Sequence, residues 1–270
     1  MALTETAYAK VNLALHVRKR RDDGYHELET LFAFVDAGDW LEAEEARLDK
    51  LNVQGEFAQQ LTDLNDNIVM RALAALPRPE GLAVTLEKRL PVAAGLGGGS
   101  ADAGALFRLV ERSHGLPDDW QERAARLGAD VPACVKSRTC VGRGTGIDLE
   151  IISDDISKTP ILIVNPRIPL FTAAVFRGWG GVDRGALPEG PASTIAAEGR
   201  NDLEASALTL CPVIGDVLAA LRQTEACVVR MSGSGASCFA LFSCHDVMLE
   251  AASYIHSNYP QWWQMSGSLR

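Results

Sequence analysis

Over residues 7–17 apolar and polar side chains alternate: Ala7, Ala9, Val11, Leu13, Leu15 and Val17 fall on one side, and Tyr8, Lys10, Asn12, Ala14 and His16 on the other. A period of two predicts a strand. The charged run at 18–24 contains an Asp-Gly pair and predicts a turn. Residues 28–35 and 40–45 read as two further strands around a turn at Asp36-Ala-Gly-Asp39. Helical spacing follows over 67–76, stopped near Pro77, and alternation returns at Leu82, Val84 and Leu86. That strand leads directly into Pro91-Val-Ala-Ala-Gly-Leu-Gly-Gly-Gly-Ser100, after which a helix is predicted over 100–110, with Ser100 or Ala101 near its start. A helix over 120–127 ends at Gly128 and leaves Asp130 in an exposed loop.

After a polar linker at 153–158, a short apolar strand over 159–166 opens a second region. Helices near 171–176 and 202–221 and strands over 226–231 and 237–242 predict an α/β layer there. Residues 179–199 are rich in Gly, Pro and Ala and read as a mobile loop, and Tyr259-Pro-Gln-Trp-Trp263 reads equally as core or contact surface. The expected class is α+β in two domains, 1–157 and 158–270.

Composition narrows the function. With 270 residues and 47% hydrophobic content the chain reads as globular, and a net charge of -9 argues against broad binding to nucleic acid or to an anionic membrane. The six cysteines form no C-x-x-C pair and no zinc-spaced cluster, so they read as reduced core residues. No signal-peptide pattern and no membrane-length apolar run occurs, which predicts a cytoplasmic protein.

The glycine-rich stretch is the strongest chemical feature. A glycine loop opening onto a helix aims unpaired N–H groups and the positive end of the helix dipole at one point, and a missing Cβ lets the backbone approach closely; phosphate fits such a point. A plain flexible loop is the competing reading. The Walker pattern fails because no Gly-Lys-Ser/Thr occurs, and the dinucleotide pattern fails because Asp102 stands where a third glycine belongs. Lys10 and Asn12 share a strand face and are able to reach one cavity, or Lys10 is a solvated surface lysine. Tyr25 and His26 offer a stacking face and a donor–acceptor pair to a nucleobase, or are simple packing residues.

Residues 91–100 resemble the ATP loop of the GHMP small-molecule kinases. Ala9-Lys-Val-Asn-Leu13 resembles that family's first motif, and Met231-Ser-Gly-Ser-Gly-Ala-Ser237 its third. Asp23-Gly-Tyr-His26 and Leu127-Gly-Ala-Asp-Val-Pro132 are similar to the branch that acts on a cytidine-diphosphate-linked methylerythritol. The resemblance implies a GHMP-kinase fold with the active site in a cleft between two domains, ATP and Mg2+ as cofactors, and a monomer or homodimer. It implies that Asp130 accepts the proton of the substrate hydroxyl, with Lys10 positioned to keep it ionised and to stabilise the moving phosphoryl group. ATP would lie against Pro91, Gly95, Leu96, Gly97, Gly98, Gly99, Ser100 and Gly233, with Asn67 and Lys88 near the adenine unless they are a helix cap and a surface charge. The substrate would meet Asn12, Tyr25, His26 and Thr172, with Tyr25 and His26 forming the cytosine pocket and Tyr25 as the stacking ring. Ser100 is the expected metal ligand. The family's second loop serine is replaced by Ala101, and no role attaches to Asp148. Another acceptor of the same family, such as homoserine, mevalonate or a sugar, is the second reading; a non-catalytic ligand-binding regulator is the third.

Overall fold

The computed structural model describes residues 2–61, 63 and 66–270. Two long strands come first, β1 (Leu3–Arg20) and β2 (His26–Ala46), and they pair with each other. The alternation in β1 buries Ala7, Ala9, Val11, Leu13, Leu15 and Val17 as expected, but Lys10, Asn12 and His16 are buried as well, so the strand is covered on both faces. The turn expected at 36–39 is absent: β2 runs through it. Gly38 is there for close approach, since a Cβ on it would lie 1.9 Å from the carbonyl oxygen of Ala7.

The elements that follow are β3 (Lys50–Gln54), α1 (Ile68–Ala75), β4 (Gly81–Glu87), α2 (Gly98–His114), α3 (Trp120–Leu127) and α4 (Val131–Lys136). Then come β5 (Cys140–Gly144), β6 (Asp148–Ile151), β7 (Pro160–Asn165), α5 (Thr172–Arg177), α6 (Ala192–Glu198), α7 (Glu204–Leu210), α8 (Val213–Arg222), β8 (Val228–Met231), β9 (Cys238–Leu241), α9 (His245–Asn258) and β10 (Trp263–Ser268). Two units interleave along the chain. One holds the residues up to Lys10, Ala37–Val92 and Gly97–Ser137; the other holds Val11–Asp36, Ala93–Leu96 and Arg138–Arg270.

In the first unit β4 lies between β2, to which it is antiparallel, and β3, to which it is parallel. α2 buries Leu106, Phe107, Leu109 and Val110, and Gly104 brings its backbone against α4, where a Cβ would sit 2.6 Å from the carbonyl of Cys134. In the second unit β5 pairs antiparallel with 28–32 of β2 and with β6. A separate antiparallel sheet runs β10-β7-β9-β8, with β7 buried along its whole length. Leu162, Val164, Val217, Leu218, Leu221, Met248 and Ile255 form part of the core around it.

Two expectations need correction, and a third that was open is decided. The helix predicted over 202–221 is two, α7 and α8, because Pro212 has no N–H to continue a helix and serves as the N-cap of the second. Of the two readings left open for the C-terminal aromatic stretch, its tryptophans take the core one: Tyr259 and Trp262 stack at 4.0 Å, Trp262 is buried, and Trp263 is buried as the first residue of β10. Cys227 and Cys244 are exposed, whereas the other four cysteines are buried and all six are free thiols.

The segment read as a mobile loop, 179–199, contains α6, buries Trp179, Leu187, Ala192, Ile195 and Ala196, and is clamped from β1 and β2. Arg18 pairs with Asp183 and Glu29, and Glu29 accepts the Leu187 N–H at 2.9 Å. His16 Nδ1–H donates to the carbonyls of Gly185 and Ala186 while its Nε2 accepts the Arg200 N–H at 3.2 Å, which requires the neutral ring. Burial, then the charge of Arg200, holds its pKa below the ordinary histidine value. A depressed histidine pKa contributes stability above the unfolded-state pKa, and that contribution is lost as pH falls through the folded value. Cleavage of the 183–187 segment by a protease should therefore accelerate below about pH 6.5, and His16→Gln should flatten that dependence. A cleavage rate independent of pH in the unaltered protein would refute the clamp.

Candidate active site

In the first unit the site begins with Lys10, whose Nζ lies 3.1 Å from Oδ2 of Asp130. The lysine side chain is 5% exposed and the aspartate 33%, so the carboxylate is the reachable member of the pair. Asp130 is not in an exposed loop as expected: α4 starts directly after it with Pro132 in its first turn, and Asp130 is the N-cap residue. Gly97 closes the arrangement from the other side. It is the N-cap of α2 in left-handed conformation (φ 61°), and a Cβ there would lie 2.9 Å from Cε of Lys10 and 3.8 Å from Oδ2 of Asp130. Only glycine brings the helix start so near the ion pair.

α2 starts two residues before the expected boundary, at Gly98, and no side chain caps it. The amides of Gly98, Gly99 and Ser100 are thus the orphan donors of a 17-residue helix, presented where its dipole is positive. Ser100 is half-buried with its hydroxyl beside Gly128, 3.8 Å from where a Cβ there would be. Pro91 is buried. Asn67 caps α1, its Oδ1 accepting the Val69 N–H at 2.9 Å. Lys88 is not a surface charge: it is 2% exposed and held between Asp39 and Asp102.

The second unit contains the remaining predicted residues. The Ser232-Gly-Ser-Gly235 turn between β8 and β9 seats on 93–96: the Ser232 hydroxyl donates to the Gly95 carbonyl at 2.9 Å, and Ser237 N–H donates to the Ala94 carbonyl at 3.1 Å. Gly95 and Gly233 both have positive φ, and a Cβ on Gly95 would stand 2.4 Å from the Ser232 carbonyl oxygen. Leu96 is a buried packing residue. Asn12 receives its place from this turn too, its N–H donating to Ser232 Oγ at 3.1 Å and its Nδ2 to Thr30 at 2.8 Å. Thr172, exposed at the start of α5, hydrogen-bonds Ser234 through the two hydroxyls at 2.9 Å.

Tyr25 is 63% exposed, consistent with a ring free to stack, whereas His26 is nearly buried. Its imidazole packs against Phe176 (centroids 5.0 Å) and edge-on to Trp179 (5.7 Å). Arg20 Nε donates to His26 Nε2 at 3.4 Å, and Arg20 Nη2 is tied to the carbonyls of Arg177 and Trp179. Burial, then the charge of Arg20, lowers the His26 pKa, so the ring stays neutral with its proton on Nδ1. Arg20, Phe176 and Trp179 escaped the sequence reading. Nothing in a helical Thr-Ala-Ala-Val-Phe-Arg distinguishes a pocket phenylalanine from a core one.

Comparison with known proteins gives the class. The models "GHMP kinases N terminal domain" and "GHMP kinases C terminal" match residues 67–138 and 186–261. A solved homoserine kinase from Cytophaga hutchinsonii, 16% identical, has a TM-score of 0.72 over 99% of this chain and 95% of its own, a likeness of fold. Fold and glycine loop are those of a GHMP kinase, an enzyme that takes its phosphoryl group from ATP.

Nearer relatives define the class further. A protein of Novosphingobium aromaticivorans named 4-diphosphocytidyl-2-C-methyl-D-erythritol kinase is 64% identical over 100% of this chain and 94% of its own length. One of the same name from Erythrobacter litoralis is 58% identical over 99% and 100%. The crystal structure of a 4-(cytidine 5'-diphospho)-2C-methyl-D-erythritol kinase, 34% identical, matches with a TM-score of 0.84 over 99% of both chains. The chain belongs to the 4-diphosphocytidyl-2-C-methyl-D-erythritol kinase family.

Proposed function

We propose that this kinase transfers the γ-phosphoryl group of ATP to the 2-hydroxyl of 4-(cytidine 5'-diphospho)-2-C-methyl-D-erythritol, a step of the non-mevalonate route to isoprenoid precursors. The observation that carries the chemistry is the Lys10–Asp130 pair set against the N-cap of α2. Asp130 orients the acceptor hydroxyl and takes its proton as the oxygen attacks phosphorus. In the loose transition state of phosphoryl transfer, orientation contributes more than early proton removal. Lys10 fixes the carboxylate and balances its charge, while the free amides of 98–100 hold phosphate oxygens through the bond change. Pro91, Gly95, Leu96 and Gly233 shape the backbone of the loop, and Asn67 borders it.

For the acceptor, Tyr25 and Phe176 supply aromatic faces for the pyrimidine, neutral His26 supplies a fixed donor, and Asn12 and Thr172 face the polyol. A magnesium ion suits the donor set. Among the described residues no group of three His, Cys, Asp or Glu is arranged to hold a metal, and magnesium usually keeps waters and phosphate oxygens with few protein ligands. Ser100 is then its protein oxygen, and the ion would neutralise polyphosphate charge. The matched segments fall on either side of a boundary at 157/158, which supports reading 1–157 and 158–270 as the N- and C-terminal domains. Among the described residues no helix is long and apolar enough to cross a membrane; we take the enzyme as cytoplasmic, a monomer or homodimer.

The test is ADP release with four acceptors: the cytidylated methylerythritol, homoserine, mevalonate and galactose. Turnover confined to the first is expected. Phe176→Ala should raise KM for that acceptor by about tenfold, in line with a stacking contribution of ~1–3 kcal/mol, with kcat within about threefold. Turnover of homoserine or mevalonate at comparable kcat/KM, or an unchanged KM in the variant, would overturn the acceptor assignment.

A further inference from the structure

Below the first turns of α2 lies a cluster of three ionisable side chains that the phosphotransfer scheme leaves unused. Lys88 donates from Nζ to Oδ2 of Asp102 at 2.8 Å and, in a shorter contact, to Oδ2 of Asp39. Their side chains are 2%, 3% and 0% exposed, respectively. Asp39, from β2, also accepts the N–H groups of Arg89 at 2.6 Å and Leu90 at 2.8 Å, which lie immediately upstream of Pro91. Asp102, from α2, meets Lys88 and the carboxylate of Asp39, and its Oδ1 is buried without a hydrogen-bond partner among the described residues. A Cβ on Gly98 would lie 3.4 Å from Lys88 Nζ and 3.8 Å from Asp39 Oδ2, so the cluster sits directly under the backbone that presents the free amides.

Two carboxylates and one ammonium would leave a net charge of −1 in a buried site, and an uncompensated buried charge is expensive. Among the described residues Asp39 has three donors to support its charge; Asp102 has the Lys88 donor and faces the Asp39 carboxylate, with its Oδ1 unpartnered. Burial pushes the Asp102 carboxyl well above the usual carboxylate range, outweighing the downward pull of Lys88. The two carboxylates in turn hold Lys88 charged against its own burial.

We propose that Asp39, Lys88 and Asp102 form a neutral positioning strap, with a proton on Asp102, that ties the backbone at Arg89 and Leu90 to α2 and fixes the direction of the 98–100 amides. Lys88 is on this account a positioning residue and touches no part of the nucleotide. The inference rests on reading the glycine loop as a phosphate site. An ionised Asp102 at this helix start would also oppose the polyphosphate, so the proton serves binding as well as burial.

Calorimetric titration with ATP and with inorganic tripolyphosphate tests this on the full chain. Three variants are compared: Asp102→Asn, which keeps an acceptor for Lys88; Asp102→Leu, which keeps volume alone; and the pair Lys88→Met with Asp39→Asn, which leaves no unpaired buried charge. Asp102→Leu and the pair should weaken ATP and tripolyphosphate by the same factor, at least about tenfold, while Asp102→Asn stays within about threefold and kcat at saturating ATP falls by less than about threefold in each. Weakening of ATP with tripolyphosphate unchanged would make Lys88 a base contact and overturn the strap. A lowered thermal midpoint with both affinities unchanged would reduce the cluster to plain stability and also overturn it. If the unaltered protein binds ATP but not tripolyphosphate, the phosphate-loop reading itself fails and the strap with it.

Discussion

Asp130→Asn should lower kcat by about 10²–10⁴-fold, the range for loss of a positioned acid–base group, while ATP affinity and thermal midpoint stay close to those of the unaltered protein. The separation of activity from stability follows from what Asp130 contributes to α4. The backbone carbonyl, not the side chain, joins the helix, accepting the Cys134 N–H at 3.0 Å, and no side-chain cap bond is made. Asparagine keeps an oxygen for Lys10 at nearly the same place, so the buried ammonium retains a partner. What disappears is the carboxylate that takes the proton. Steady-state kinetics with calorimetric ATP titration and a thermal melt measure all three, and residual kcat within about tenfold of normal would remove Asp130 from its role.

Gly97→Ala should be nearly as damaging, through geometry. Left-handed backbone costs a non-glycine residue roughly 1–2 kcal/mol. The added methyl would also stand 2.9 Å from Cε of Lys10, whose own side chain is sealed and has little freedom to retreat. Either α2 shifts or the ion pair opens. Loss of at least about a hundredfold in kcat/KM is expected, with a fall in thermal midpoint of a few degrees, since about 1 kcal/mol moves the midpoint of a chain this size by roughly 2–4 °C. Kinetics and a melt on one preparation decide it; unchanged kcat/KM would mean that the start of α2 does not govern Lys10.

The parts of this protein that were legible beforehand are those where local chemistry and global fold demand the same residues. A glycine loop between a strand and a helix is legible as a candidate phosphate site, and the alternation in β1 puts Lys10 and Asn12 on one strand face. Gly38 misled because glycine serves turns and close strand contacts alike, and only the position of Ala7 distinguishes them. Pro212 was a local signal overlooked, whereas β10 had little signal: Trp-Gln-Met-Ser-Gly-Ser becomes a strand by pairing with β7. Lys88 stayed hidden for a related reason. Its partners Asp39 and Asp102 are 49 and 14 residues away, and no spacing rule joins them. Phe176 meets His26 from far along the chain, so the aromatic wall of the pocket emerges only once the chain is folded.

The central claim is the identity of the acceptor and of the oxygen phosphorylated. Incubating the protein with MgATP and 4-(cytidine 5'-diphospho)-2-C-methyl-D-erythritol and following the product by phosphorus and carbon NMR tests both at once. The account predicts one new phosphomonoester, coupled to the carbon bearing the methyl branch, absent with Asp130→Asn on the same timescale. A phosphoester at another carbon, or ADP formed with no phosphorylated acceptor, would contradict it.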